Sequence, residues 1–130
     1  MALNDRFVAY TPYAWRSPFE MTIAPIARAH DFAAAPDEDI VALGEICRDV
    51  LARLKVTLKD LPYNFVLHAA PNVDSEPVAA GHLDTLERNF HWHLEIVPRV
   101  RQLAGFEVGT GFYVNSMPPE DAVRFLREAL

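Results

Sequence analysis

The sequence predicts an α+β fold in which a mostly antiparallel sheet carries one long and one short helix, in the order β-β-α-β-β-α. Segments in which apolar and polar residues alternate lie on both sides of a long segment with an apolar repeat of three to four residues. The connection between the first two alternating segments is short, which favours antiparallel pairing. No internal repeat, low-complexity tract or linker divides residues 1–130, so we expect a single domain.

The first two strands are predicted over residues 6–13 and 19–25. The first segment is rich in β-branched and aromatic side chains, and Pro12 ends it. In the second segment polar Glu20 and Thr22 alternate with apolar side chains. Its apolar face consists of Phe19, Met21 and Ile23. Each strand is therefore expected to be half-buried.

A long helix is predicted from Pro36 to residue 58. Proline suits the start of a helix, and the three acidic residues 37–39 that follow face the positive end of the helix dipole. An apolar stripe continues for about six turns. It consists of Ile40, Leu43, Cys47, Val50, Leu54 and Leu58. We expect this stripe to lie on the sheet and Cys47 to be a small core residue.

Further strands are predicted over residues 63–69 and 90–97, with a long loop over 70–88 between them. A fifth strand is predicted over 106–114, where glycines on one face indicate a shallow groove or a bulge. The last helix is predicted over 119–129, with proline and acidic residues at its start.

Composition excludes several classes of protein. The 130 residues include 12 basic and 18 acidic side chains, for a net charge of −6, which disfavours binding to nucleic-acid backbones or anionic membranes. No apolar stretch is long enough to span a bilayer, and the N-terminus lacks the pattern of a signal peptide. Cys47 is the single cysteine, so no disulfide framework can form and we expect a cytoplasmic protein.

The strongest signal for chemistry is the pair His91 and His93. Residues two apart on a strand project to the same side, and two imidazoles so placed can ligate one ion at about 2.0–2.1 Å each. His68, on the preceding strand, could be a third ligand, and Glu95 could be a further ligand or could support the site. A solvated pair of strand histidines is the alternative, and spacing alone leaves both open.

Other sites receive less support. Cys47 lies within the apolar stripe, and the sequence contains no nucleophile elbow, Walker loop or dinucleotide-binding glycine motif. Four arginines are candidates for anion contact, with solvated surface charge as the alternative. They are Arg16, Arg28, Arg99 and Arg101.

Four segments together resemble the C-terminal half of the galactose-1-phosphate uridylyltransferase family, in the histidine-triad superfamily. They are FVAYTPYAWRSPFEMTIAP (7–25), YNFVLHAAP (63–71), FHWHLEIVPR (90–99) and GFEVGTGFYVNSMPPEDA (105–122). The resemblance implies a histidine-triad-like fold and a role in galactose metabolism. Family members move a uridylyl group between glucose 1-phosphate and galactose 1-phosphate through a uridylyl-histidine.

The family's nucleophile lies in a His-Pro-His motif of the N-terminal half, and this chain contains no such motif. The resemblance therefore implies a metal-binding and substrate-presenting domain without catalytic residues of its own. It would be inactive alone and would act with an N-terminal catalytic half or a partner subunit, in a homodimer, on a nucleotide sugar or sugar phosphate.

By resemblance, His68, His91 and His93 match three ligands of a structural metal, zinc or iron, and Glu95 could complete the ligand set. The segment after Gly105 matches a region that reaches the nucleotide sugar. The substrate-binding candidates there and nearby are Phe106, Glu107, Val108, Asn115 and Arg99. Glu107 or Asn115 would replace a family glutamate whose aligned position falls near Gly111.

Two alternatives stay open. The chain could be a stand-alone histidine-triad-like module that binds a metal or a nucleotide without transferring a group. It could also be a hydrolase in which Glu95 acts as base toward metal-activated water.

Overall fold

The computed structural model describes residues 1–71, 86–102 and 104–130, without the side chains of residues 86 and 87. Within them lie the strands β1 (Ala2–Leu3), β2 (Phe7–Tyr10), β3 (Met21–Pro25), β4 (Tyr63–His68) and β5 (His93–Pro98). The helices in the same residues are α1 (Asp37–Leu58), α2 (Leu86–Asn89), α3 (Gly105–Thr110) and α4 (Pro119–Glu128). No helix of the described part of the chain is long and apolar enough to cross a membrane.

The strands form one antiparallel sheet in the order β1-β2-β3-β5-β4, which confirms the predicted α+β class. β5 lies between β3 and β4 in the sheet, although α1, β4 and α2 come between β3 and β5 in the sequence. Thr22 and Val66 both pair with Glu95, from opposite sides of β5, and His68 pairs with His93. This register decides which polar side chains share a face of the sheet.

The core forms on the other face of the sheet. α1 packs against β1, β2 and α4, and its completely buried Val50 lies in one hydrophobic cluster with Ile23 and Ile96 of the sheet. Trp92, which directly precedes β5, is almost fully buried. Its ring packs edge-on against Phe32 with centroids 5.0 Å apart. Burial of these large side chains supplies most of the driving force for folding.

The predicted long helix is confirmed as α1. Pro36 is extended, and Lys59 ends the helix in the left-handed conformation, with its N–H donating to the carbonyl of Lys55. The buried strip is narrower than the predicted stripe. Ile46, Val50 and Leu54 are buried, whereas Ile40 is 43% exposed. Cys47 is partly buried against the core, and this burial raises the pKa of its thiol.

The predicted strand over 106–114 is wrong: residues 105–110 form α3, and Gly111 ends this helix with a φ of 74°. Hydrogen bonds to the side chain of Glu107 stabilise this conformation. The carboxylate of Glu107 accepts the backbone N–H of Ala104 at 2.9 Å and that of Val114 at 3.3 Å, which closes the segment on itself. Alternation of apolar residues was misleading because these side chains face solvent rather than a core.

Several boundaries also differ from the predictions. β1 was not predicted, and the second strand begins at Met21 because Phe19 has a φ of 62°. The predicted strand over 90–97 begins only at His93, because the N–H of Trp92 donates outside the sheet, to the carbonyl of Ala29. Part of the predicted loop over 70–88 forms α2, and residues 72–85 of it lie outside the described residues.

We expect Val50→Ala to lower the free energy of unfolding by about 2 kcal/mol, since it removes two methyl groups from a completely buried site. Val56→Ala is the matched control. Val56 lies on the same helix but is 55% exposed, so the two substitutions share the change in helix propensity and differ in buried surface. Urea unfolding followed by circular dichroism measures both. Equal losses would contradict the packing of α1 described above.

Candidate metal centre and adjoining pocket

A polar cluster lies on the sheet face opposite Ile96, where β4 and β5 pair. Its members are His68, His93 and Glu95, whose potential ligand atoms all lie within 4.8 Å of one another. Nε2 of His68 is 3.0 Å from Oε2 of Glu95. The His68 side chain is 40% exposed and that of Glu95 is 17% exposed, so the cluster is shielded but open on one side. Two imidazoles and a carboxylate are a donor set that zinc and iron accept.

A backbone contact of one ring nitrogen of His93 leaves the other nitrogen for a metal. Its Nδ1 lies 3.1 Å from the carbonyl oxygen of His91. A carbonyl oxygen can only accept, so Nδ1 carries a proton in this contact, and in a neutral ring the lone pair then lies on Nε2. Metal-ligating histidines commonly donate their second ring nitrogen in this way. The backbone of His91 therefore orients the ring of His93.

His91 itself is not part of the cluster that the structure brings together in the described residues. His91 precedes β5, which begins at His93. The Nε2 atom of His91 is buried and has no hydrogen-bond partner in the described part of the chain. The two-residue spacing predicts side chains on the same side only within a regular strand. Because β5 begins at His93, that premise fails for His91.

The fit to a metal ion depends on the ring planes. The rings of His68 and His93 are stacked, with centroids 4.6 Å apart and an interplanar angle of 16°. An ion ligated by an imidazole lies in the plane of that ring, so both rings cannot ligate one ion while their planes are parallel. Ligand atoms of a tetrahedral zinc lie about 3.4 Å apart. The donor atoms fit this ion after one ring turns and the cluster contracts.

An orphaned nitrogen supports this fit. Nε2 of His68 is buried and has no aligned hydrogen bond among the described residues, although Oε2 of Glu95 is 3.0 Å away. The contact is close enough for an ion pair if the ring is protonated, yet its angle is unsuitable for a hydrogen bond. A buried nitrogen without a hydrogen bond lowers the stability of the fold unless another partner, such as a metal ion, binds it.

Arg16 connects the cluster to its surroundings. One guanidinium nitrogen is 3.1 Å from Oε2 of Glu95 and 3.5 Å from Oε1 of Glu20. Glu20 is only 3% exposed, so a buried carboxylate depends on this arginine and on the backbone N–H of Arg16. Sequence reasoning did not select Glu20, although its place on the polar face of the second predicted strand was the available signal.

An open cavity of about 640 Å³ adjoins Arg16 on the same side of the sheet. Its wall includes three of the four arginines selected from the sequence and the carboxylate Glu107. The lining residues are Arg16, Ser17, Asn64, Val66, Val97, Pro98, Arg99, Arg101, Gln102, Glu107 and Tyr113. The fourth arginine, Arg28, lies elsewhere and donates to the backbone carbonyl of Arg88.

Glu107 braces the segment that forms one side of the cavity. The N–H groups of Ala104 and Val114, and after them the charge of Arg101, hold the pKa of Glu107 below its ordinary range, against the opposing effect of burial. Arg101 also donates to the carbonyl of Val114. Glu107 is thus engaged within the chain.

The remaining substrate-binding candidates differ in exposure. Phe106 is 59% and Val108 72% exposed on α3, so both are free to contact another molecule. Asn115 is partly buried and accepts the N–H of Met117. Its Nδ2 has no hydrogen-bond partner in the described residues. Arg99 lines the cavity, whereas Phe106 and Val108 do not.

No family model matches the chain. ADP-glucose phosphorylase from Arabidopsis thaliana is 34% identical to it over 128 residues, and galactose-1-phosphate uridylyltransferase from Thermotoga maritima is 25% identical over 132 residues. Each match covers 96% of this chain. The chain is related to the galactose-1-phosphate uridylyltransferases of the histidine-triad superfamily. It spans 33% of the length of the first relative and 39% of the second.

Solved structures also match the chain. A crystal structure of the Arabidopsis ADP-glucose phosphorylase with bound ADP-glucose matches with a TM-score of 0.85 and 33% identity, over 97% of this chain and 38% of that one. A zinc-bound histidine triad family protein from Mycobacterium smegmatis matches with a TM-score of 0.63 and 15% identity, over 98% of this chain and 80% of that one. The second match shows the fold alone.

We expect Glu107→Gln to destabilise the uridylyltransferase-like chain at pH 7 and to remove part of its sensitivity to acid. A lowered pKa in the folded state contributes stability that is complete above the ordinary glutamate value of about 4.3 and is lost as the pH falls through the lowered value. Urea unfolding between pH 7 and pH 3 measures this loss.

The control for that experiment is Glu45→Gln, at an exposed position on α1. It should leave both the stability at pH 7 and the acid dependence close to those of the unmodified chain. If the two variants show the same stability at every pH, Glu107 does not hold residues 104–114 together.

Proposed function

We propose that the chain is the C-terminal, metal-binding and substrate-presenting domain of a nucleotidyltransferase that acts on nucleotide sugars, of the UDP-glucose–hexose-1-phosphate uridylyltransferase type. The observation that carries the proposal is the cluster of His68, His93 and Glu95, because it lies in a chain whose full-length relatives are nucleotidyltransferases. We take residues 1–130 as a single domain, and we propose galactose metabolism as the setting and the cytoplasm as the location.

The metal would be zinc or iron, and its role would be structural. His68 and His93 would supply nitrogen ligands and Glu95 an oxygen ligand, with β4 and β5 joined across their shared edge. His91 would serve through its carbonyl, which orients the ring of His93. Bound metal would supply a cross-link between two strands, and Arg16 would then keep only Glu20 as a close carboxylate partner.

The partner would be an N-terminal catalytic half, in one chain or in a homodimer. β4 is an edge strand of the described sheet, and its side chains are half-exposed on both faces, with Phe65 at 47% and Val66 at 39%. An exposed apolar edge strand is a site of association. The apolar side chains around α3, such as Phe106, would extend the contact toward the nucleotide sugar or sugar phosphate that the complete enzyme binds.

Substrate contacts would come from residues 99–115, which follow β5. Phe106 and Val108 would pack against the nucleotide sugar, and Arg99 would contact its phosphates. Glu107 would act by holding this segment together, and Asn115 would offer its unpartnered amide nitrogen.

A second candidate is a stand-alone module that binds a metal or nucleotide and transfers no group. It is favoured by one observation: the cluster around His68 and the arginine-lined cavity are both formed by these 130 residues alone. Binding without turnover would fit either candidate, whereas restored turnover with an N-terminal half would fit only the first.

We expect the chain, produced without a histidine tag, to bind about one equivalent of zinc or iron, and His93→Ala to lose most of it because a nitrogen ligand is removed. Elemental analysis after gel filtration measures the metal. His30→Ala is the control, since it removes an imidazole outside the cluster. Equal metal content in the two variants, or none in the unmodified chain, would contradict the proposed centre.

We expect the isolated chain to transfer no uridylyl group from UDP-glucose to galactose 1-phosphate, because the His-Pro-His nucleophile is absent from its sequence. A radiolabel transfer assay tests this. Turnover by the isolated chain that disappears in His91→Ala or His93→Ala would overturn the proposal that another half supplies catalysis.

A further inference from the structure

We propose that Arg16 competes with a metal ion for the carboxylate of Glu95 and so lowers the affinity of the polar cluster on β4 and β5 for that ion. One guanidinium nitrogen of Arg16, Nη2, donates to Oε2 of Glu95 at 3.1 Å. The same oxygen lies 3.0 Å from Nε2 of His68, inside the cluster. The arginine and a metal would therefore use the same oxygen. The inference rests on the proposed metal centre and concerns the regulation of that centre.

The carboxylate of Glu95 is aligned with the arginine and not with the histidine. Its Oε2 accepts a hydrogen bond from Arg16, whereas Nε2 of His68, at nearly the same distance, has no hydrogen bond among the described residues. A contact with poor angles is weak even when it is short. A metal ligated by Nε2 of His68 would need this oxygen to turn toward it, and the hydrogen bond to Arg16 would be lost.

Charge also opposes simultaneous binding of the arginine and the metal. A guanidinium that donates to Glu95 would lie beside a divalent ion bound to the same carboxylate, and the two positive charges repel each other. The Glu95 side chain is only 17% exposed, so solvent weakens this repulsion only in part. Arginine stays protonated at all ordinary pH values, so Arg16 can relieve the repulsion only by moving away.

Arg16 has a second carboxylate to which it can shift. Its Nη2 lies 3.5 Å from Oε1 of Glu20, and its backbone N–H donates to Oε2 of Glu20 at 3.3 Å. The hydroxyl of Ser17 donates to the carbonyl of Pro98, which attaches this turn to the end of β5. The base of Arg16 is thus fixed, while its half-exposed side chain is free to turn. Arg16 can leave Glu95 and still neutralise the buried Glu20.

The same contacts stabilise the fold before a metal binds. Glu20 and Glu95 both lie within 3.5 Å of one guanidinium nitrogen, so one positive charge offsets two carboxylates that would otherwise repel each other. Arg16 therefore acts in two opposite ways. It raises the stability of the chain without metal, and it lowers the gain in free energy when a metal takes its place at Glu95.

The deciding variant combines Arg16→Gln with Glu20→Gln. One positive and one negative charge are lost, so the net charge of the chain stays at −6 and a general effect of charge on a cation cancels. Loss of the competing charge-assisted contact should still tighten zinc binding about tenfold. The control combines Asp121→Asn with Arg124→Gln, which removes an exposed ion pair of α4 and should leave the affinity unchanged. Titration of the chain, made without a histidine tag, with zinc in competition with a chromophoric chelator measures the dissociation constant.

Arg16→Gln alone tests the contribution of the arginine to the chelator-treated chain. It should lower the midpoint of thermal unfolding, because Glu20 is 3% exposed and loses its guanidinium partner. Adding Glu20→Gln should recover most of this loss, since it removes the unpaired buried charge. Circular dichroism measures the midpoints and also checks that the double variant folds. Equal midpoints of Arg16→Gln and the unmodified chain would contradict the bridging of two carboxylates from which the competition follows.

The outcomes separate this inference from the proposed function. Tighter zinc binding by the double variant than by the unmodified chain and the control supports the competition. Equal or weaker binding by the double variant overturns the inference and leaves the metal centre standing, whereas no zinc uptake by any of these chains overturns both. Tighter binding by the double variant, without turnover when an N-terminal half is added to the unmodified chain, supports the inference and contradicts the transferase function.

Discussion

The antiparallel pairing of β5 with β3 on one side and β4 on the other is the constraint on which the candidate site depends. Glu95 pairs with Thr22 and with Val66, and His93 pairs with His68. A shift of one residue in either pairing would move every side chain of the shifted strand to the opposite face. The buried Ile96 prevents such a shift, because it would bring His93 and Glu95 into the hydrophobic cluster. Core packing on one face of the sheet therefore fixes which polar side chains lie together on the other face.

Sequence patterns were sufficient where local periodicity and burial agree. The apolar repeat of residues 37–58 and the alternation along β3 to β5 predicted these elements, and the same alternation placed His68 and Glu95 on the polar face. It failed at His91, because a backbone contact of Trp92 with Ala29 delays the start of β5. Local residue spacing cannot predict this contact, because Ala29 and Trp92 are 63 positions apart in the chain.

The failure over residues 106–114 has a different cause. Phe106, Val108 and Phe112 alternate as a strand would, yet each is more than half exposed. Alternation of apolar residues predicts a strand only when a neighbouring strand can pair with its backbone and a core can bury its apolar face. Glu107 instead satisfies backbone donors within its own segment. Similarly, the role of Glu20 emerges only when Arg16 folds back between it and Glu95, a relation that depends on the sheet and not on distance along the sequence.

The half-exposed strand β4 has a consequence for the behaviour of the chain on its own. Its outer edge presents unpaired backbone groups of the described sheet, flanked by Tyr63, Phe65 and Leu67, each more than two fifths exposed. Two copies that meet along this edge can continue one another's hydrogen bonding, and the net charge of −6 opposes their approach most strongly at low ionic strength. Added salt should therefore promote association of copies along this edge, and low-salt buffer should oppose it.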